Sequence, residues 1–526
     1  MNLRTTLSPK KRAFLAGTLL LTGTGFLCRF LGFFYRIFLS RTIGAEGLGL
    51  YNMIHPIFGI CFALCAGSMQ TALSQFIAAN RRRGRHIFRT GCFISLSLSF
   101  VLVGLISSQS QWIATNILME PRCAEYLPLM IYSIPFVALH ACINGYYYGM
   151  QKNRVPAFSQ VFEQMIRMAA VYLIADIWME MGNEITVQLA VIGHFIGEIG
   201  AALFTVCCLC LTPPQPGHMK DDARLITQNL SPGFIKTYGT NIAIPLMALA
   251  VPLMANRLIL NVLASAEAIW IPSRLQMSGL TNSEALATYG TLTGMALPFI
   301  LFPSAITNSM AVLLLPSVAR AQAEGEQSSI KSSVALSMRY SLYMGILCIG
   351  IFILFGDELG ISVFHDTSAG YYIKVLAWLC PFLYLATTMG SILNGLGKTK
   401  TTFMQGVAAM LLRISFVLFV IPRYGIIAYL WGMLASEILL ALMYLWSLNK
   451  LVAIPWNSLE MIVKPGLLMI ISVGIYYFLH GMIIMPAWIP VFVETVIWIF
   501  IISCIYGSLL LMFHISKKEN DAQMSS

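Results

Sequence analysis

Charge is scarce in this sequence. Only 10% of its 526 residues are Asp, Glu, Lys or Arg, against 58% that are hydrophobic, and no polar stretch is long enough to hold a soluble domain. Soluble-enzyme signatures are also missing. There is no Gly-Lys-Ser/Thr phosphate loop, no His-Glu-x-x-His and no Gly-x-Ser-x-Gly, so neither a nucleotide-driven engine nor an enzyme of those classes is expected. The 12 cysteines lie almost entirely in apolar runs, and Cys207-Cys208-Leu209-Cys210 has no His or acid beside it. Packing explains them, and neither a metal nor a cofactor is expected. The N-terminus carries Lys10, Lys11 and Arg12 ahead of a long apolar run without a small-residue cleavage site, which reads as an uncleaved first span.

What remains is apolar and periodic. Mean hydropathy is +0.76, and short polar loops divide the chain into fourteen candidate spans. They lie near 13–40, 50–79, 86–108, 124–150, 156–178, 187–212, 239–264, 286–315, 332–356, 370–397, 401–422, 425–448, 461–482 and 487–513. Each is long enough to cross a bilayer, so the fold class is an all-α polytopic membrane protein. Its formal net charge of +11 is concentrated in one set of loops, including Arg81, Arg82, Arg83, Arg85, Lys152, Arg154, Lys398, Lys400 and Lys450. Few basic residues, such as Arg122 and Arg423, fall on the other side. The bias puts both termini in the cytoplasm of a bacterial cytoplasmic membrane and accounts for the arginine run as a topological and anionic-lipid signal, not nucleic-acid binding.

Turn chemistry and an internal repeat divide the chain. Residues 213–236, with Pro213-Pro214-Gln215-Pro216-Gly217, read as a cytoplasmic linker between 1–212 (spans 1–6) and 237–450 (spans 7–12). Residues 451–526 hold spans 13 and 14 and a cytoplasmic tail. An offset of 246 carries Pro135 to Pro381, Gly149 to Gly395, Lys152 to Lys398 and Arg167 to Arg413, and an offset of 239 carries Glu198 to Glu437. Six spans per copy start both copies on the same side, so the expected lobes are parallel repeats about an axis along the membrane normal, as in transporters.

Ionisable residues within spans mark function first. Arg29 and Arg36 are two helical turns apart on one face of span one, and Arg257 lies in span seven, its partner by the repeat. A guanidinium suits phosphate in charge and bidentate geometry, so these three are expected to form an anion site, with Asn52, His55, Gln70 and Asn256 as polar companions. Arg167 with Glu198, and Arg413 with Glu437, are expected to be structural charge pairs, one in each lobe. Without a nucleotide site, transport would draw on Na+ or H+, the membrane potential, or the substrate's own gradient.

The segment Cys28-Arg29-Phe30-Leu31-Gly32-Phe33, continuing through Leu39-Ser40-Arg41-Thr42-Ile43-Gly44-Ala45-Glu46-Gly47-Leu48-Gly49, resembles the first-span signature of the SpoVB/MurJ branch of the multidrug/oligosaccharidyl-lipid/polysaccharide (MOP) exporter superfamily. Pro298-Phe299, Phe302-Pro303-Ser304 and Leu315-Pro316-Ser317-Val318 resemble its eighth-span pattern, and the likeness covers the whole chain. It implies a flippase for an undecaprenyl-pyrophosphate-linked glycan, with lipid II-like peptidoglycan precursors or related polysaccharide units as substrates. It also implies a role in spore cortex or cell-wall synthesis, membrane lipids and cell-wall machinery as partners, and a monomer. Arg29 matches the family pattern. Tyr35, the stretch near Cys61 and Thr291 stand where the flippases carry further arginines, and Arg257 is expected to compensate. The alternatives are a cation-coupled multidrug antiporter of the MATE type, which would want acids in spans one and two where none precedes Glu46, and a non-transporting membrane partner of peptidoglycan machinery.

Overall fold

The computed structural model describes residues 9–213, 242–454, 456–483, 485–486 and 488–524. Among these residues every regular element is a helix. Eleven helices are long and apolar enough to cross a membrane, or twelve if the bent pair Asn282–Leu301 and Ser304–Glu324 makes one span. This is an all-α polytopic membrane architecture. Two further features separate that tally from the expected fourteen. Leu20–Ala79 counts once although its 60 residues exceed two crossings of about 20 residues each, and Arg154–Glu180 drops out because Gln160, Glu163, Gln164 and Arg167 dilute its apolar run. Nearly all of the expected linker 213–236 lies outside the described residues.

Contacts divide the chain into two compact units, Met1–Ser273 with Thr281–Gly290, and Arg274–Leu280 with Thr291–Ser526. The units follow contacts, not chain order, so most of the seventh span joins the first unit. In that unit α1 (Pro9–Phe62) turns at Gly44, with φ 70° and ψ −178°. Side chains disfavour that φ, and glycine lets a 54-residue helix fold into two arms without strain. One π-helical turn, Ala63–Gly67, leads into α2 (Ser68–Ala79). The wider turn is held by Ser68 Oγ donating to Ala63 O (2.8 Å) and Ser95 Oγ donating to Cys65 O (2.5 Å).

Four helices pack around this pair: α3 (Gly84–Ser108), α4 (Cys123–Ile131), α5 (Ile134–Gly149) and the charged α6 (Arg154–Glu180). The unit is completed by α7 (Val187–Leu211), most of α8 (Ala243–Met277) and α9 (Asn282–Gly290). Large side chains on α3, such as Phe93 and Phe100, are exposed and form lipid-facing surface. Small residues do the close packing expected where lipid offers no hydrophobic incentive to associate. A Cβ on Gly49 would fall 2.2 Å from Leu286 O and one on Gly290 would fall 1.9 Å from Ala45 O, so two glycines let α9 lie directly on the second arm of α1.

The second unit contains α10 (Ser304–Glu324), α11 (Gln327–Leu359), α12 (Thr367–Leu376), α13 (Cys380–Gly395), α14 (Thr399–Ser415), α15 (Ile426–Leu451), α16 (Lys464–Met482) and α17 (Val491–Met524). Ile330, Val334 and Met338 of α11 interleave with Met389, Ile392 and Leu393 of α13 in its core. The last two helices pair through Trp498 against Tyr476 (5.3 Å between rings) and are tied to α11 by Tyr506 donating to Tyr343 O (3.3 Å). Both units use one packing device. A Cβ on Gly149, the last residue of α5, would meet Ser74 O at 2.9 Å, and one on Gly395, the last residue of α13, would meet Leu315 O at 2.8 Å.

Candidate functional site

The residues of the expected anion site all belong to the first unit. Arg29 and Arg36 both keep exposed side-chain surface along the first arm of α1, and Arg36 lies within electrostatic reach of Tyr51, Tyr35 and Tyr289. Arg257 of α8 reaches the π-helical turn. Its Nη2 donates to Thr71 Oγ1 at 2.9 Å, and its Nη1 fills the space where a Cβ on Gly67 would lie only 2.3 Å away. Asn261, one turn on, donates to Arg257 O at 2.9 Å. Tyr51 and Gly67 are 16 positions apart along one helix, about 24 Å at helical rise. Arg36 and Arg257 therefore mark different depths along the second arm. Asn52 and His55 sit near the Arg36 end, Gln70 near the Arg257 end, and Asn256 is exposed beside Arg257.

Behind this row lies a buried polar cluster. Arg167 Nη2 of α6 donates to Glu163 on its own helix and lies 3.4 Å from Glu198 Oε1 of α7. His140 Nε2 of α5 lies 2.9 Å from Glu198 Oε2, and His194 Nε2 lies 3.9 Å from Glu198 Oε1. His55 accepts no free place in the row of arginines: its Nδ1 is 2.9 Å from Tyr51 O and its ring is 6.2 Å from that of His194. Arg167 and Glu198 thus meet, within a larger group. Sequence spacing signals Glu163, four residues before Arg167 on one helix face. Nothing in the sequence pairs His140 with Glu198 across 58 positions. Arg413 and Glu437 lie in α14 and α15 of the second unit, both half-buried.

A second ionic group closes the end where α1 turns. Arg122 donates to Glu46 Oε1 from Nη1 (2.7 Å) and to Glu120 Oε1 from Nε (2.8 Å). The first turn of α9 joins them, with Asn282 Nδ2 donating to Glu120 Oε2 (2.8 Å) and Ser283 Oγ to Glu46 Oε2 (2.6 Å). Burial pushes the Glu120 carboxyl up, but the hydrogen bonds from Arg122 and Asn282 outweigh it and hold it below the usual carboxylate range. The bond to Glu120, and then the bond to Glu46, raise the Arg122 guanidinium.

Residues 14–317 match the family described as polysaccharide biosynthesis protein. The chain belongs to that family. Among its relatives, stage V sporulation protein B of Bacillus subtilis (strain 168) is 26% identical, with 97% of each chain covered. Among solved structures, the lipid II flippase MurJ in an inward closed conformation superposes with a TM-score of 0.71 at 14% identity, covering 95% of this chain and 99% of that one. An inward-facing multidrug resistance MATE family transporter of the MOP superfamily gives 0.59 at 13% identity, covering 81% and 95%. The polysaccharide biosynthesis family member described here is therefore a SpoVB- and MurJ-like, multi-pass membrane protein with the MOP fold.

Proposed function

We propose that this protein is an alternating-access flippase that moves an undecaprenyl-pyrophosphate-linked oligosaccharide, lipid II-like or a related polysaccharide unit, across the cytoplasmic membrane. The observation that carries the reading is that Arg29 and Arg36, two turns apart in an apolar span, both keep exposed surface where a charge facing lipid would be costly. A guanidinium at either position holds its charge at every physiological pH and can grip two phosphate oxygens. Arg257, steadied by Thr71 against the π-helical turn, supplies a third guanidinium at another depth, so a pyrophosphate travelling along the second arm meets successive cations. Asn52, Gln70 and Asn256 offer amides to sugar hydroxyls beside that path, and His55 stands at its inner edge. Residues 1–212 and 237–450 serve in this reading as repeated lobes, with both termini cytoplasmic. A role in sporulation or cell-wall synthesis accords with the name of the Bacillus relative.

The test is lipid flipping in proteoliposomes, measured per folded molecule. Arg29→Ala should nearly abolish it, and Arg29→Lys should lower it, since Lys keeps the charge and loses the bidentate fork. Normal specific activity in Arg29→Ala would end the pyrophosphate-receptor reading. Drug efflux without lipid movement would instead support the antiporter.

A further inference from the structure

We infer that the buried cluster of His140, Glu163, Arg167, His194 and Glu198 binds one proton, and that this proton is coupled to transport. The coupling rests on the flippase reading; the proton site does not.

The charge count is the starting point. With both imidazoles neutral, two carboxylates face one guanidinium, which leaves one net negative charge among side chains that are 80% or more buried. Such a charge is costly, and one added proton cancels it while a second would restore an imbalance of the opposite sign. The atom that receives it follows from hydrogen-bond chemistry. An ionised Glu198 only accepts, so His140 Nε2 must carry the hydrogen it directs at Oε2 across 2.9 Å. The lone pair is then on His140 Nδ1, which is buried and has no hydrogen-bond partner. Proton uptake at Nδ1 makes an imidazolium bonded to the Glu198 carboxylate. His194 gives an independent pointer: it is 5% exposed, and its unpartnered Nε2 faces Glu198 Oε1 at 3.9 Å.

The charged and titratable groups facing the pair come from every neighbouring helix. The first arm of α1 contributes Cys28 and Tyr35 and its second arm Tyr51 and His55, with Arg36 standing behind them within electrostatic reach of Tyr35, Tyr51 and His55. Glu163 and Arg167 face it from α6, and His194 from α7. Tyr51 lies within electrostatic reach of Arg36, Arg167 and Glu198 at once, so the charge of the cluster is felt where the substrate path runs. The ligand atoms of His140, Glu163 and Glu198 lie within 4.8 Å of one another, a spacing that would also suit a metal ion. Arg167 decides against one, because a single nitrogen, Nη2, already reaches both carboxylates.

The experiment uses the whole protein in proteoliposomes with a fluorescent lipid-linked glycan, the membrane potential clamped at zero and a pH difference set across the bilayer. One coupled proton shifts the steady-state distribution between leaflets by about tenfold per pH unit. Glu198→Gln and His140→Gln should each flatten that slope. A flat wild-type profile, or an unchanged slope in either variant, overturns the coupling, and a distribution that follows a Na+ difference overturns the proton in favour of a metal ion. Infrared pH-difference spectra of the purified protein decide the site itself: subtracting the His140→Gln spectrum from that of the wild type should leave one titrating histidine ring band, and a subtraction that leaves none refutes the proton site. That readout stands even if no glycan moves, which would sink the flippase reading alone.

Discussion

Replacing Arg122 with alanine should free α9 from the turn of α1, and the structure sets the size of the effect. The Glu120 side chain is 3% exposed and accepts from Arg122 Nε at 2.8 Å and from Asn282 Nδ2 at 2.8 Å. Removing one partner of a fully buried ion pair costs about 3 to 5 kcal/mol, because the survivor stays desolvated. Arg122 is itself 45% exposed, so solvent screens the pair, and the Asn282 bond survives. Discounting for both gives about 2 kcal/mol, or about a thirtyfold rise in the population with α9 detached. Hydrogen–deuterium exchange of residues 282–290 measures that population, since exchange through brief opening scales with the open fraction. Arg122→Ala should speed exchange there by about thirtyfold, with Arg122→Lys between it and the wild type. Unchanged exchange in Arg122→Ala would refute the latch.

Three further outcomes follow from the same geometry. Gly67→Ala keeps every charge but must displace the Arg257 guanidinium, so flipping per folded molecule should fall about tenfold, the worth of one charge-assisted hydrogen bond; Thr71→Val should match it, and normal activity in both would remove Arg257 from the substrate path. The folded-state pKa of Glu120 is lowered, so its contribution is fully present above the unfolded value of about 4.3 and is lost as pH falls through the folded one. The melting-temperature gap between wild type and Glu120→Gln should therefore persist from pH 8 to pH 5 and close under stronger acid; a gap that closes between pH 7 and pH 5 contradicts the assignment. A cysteine placed at Lys152 should react with a membrane-impermeant maleimide only from the cytoplasmic side, and labelling from outside intact cells would invert the proposed topology.

Composition alone makes the membrane class legible, because 58% hydrophobic residues with short polar gaps admit little else. Arg29 and Arg36 are equally legible, since a charge inside an apolar run stands out against its neighbours. The pairing of Arg167 with Glu198 follows from the repeat, yet the group around it does not. Glu163 beside Arg167 and His194 beside Glu198 are signalled by helical spacing, but His140 reaches Glu198 only through the packing of α5 on α7, a relation with no sequence period. The Glu46, Glu120 and Arg122 group escaped for a similar reason. Glu46 sits in the second arm of α1, 76 positions from Arg122, while Glu120 and Arg122 share one connection, and such polar residues look like ordinary solvated surface until a helix such as α9 is set down on them.

The ion pairs of α6 also bear on how the chain is made. Arg154–Glu180 is too polar to rank with the self-sufficient spans, so it is poorly suited to entering a bilayer unaided. Glu163 and Arg167, one turn apart, cross as a neutralised pair from the moment the helix forms. Their remaining partner, Glu198, is synthesised with the following helix and meets a His140 that is already in place. The insertion machinery would thus have to retain α6 until α7 emerges and release the two as a hairpin. A substitution at Glu198 would then be felt first as a fault of biogenesis, in ribosome-bound or half-inserted chains, before any finished transporter could be slowed by it.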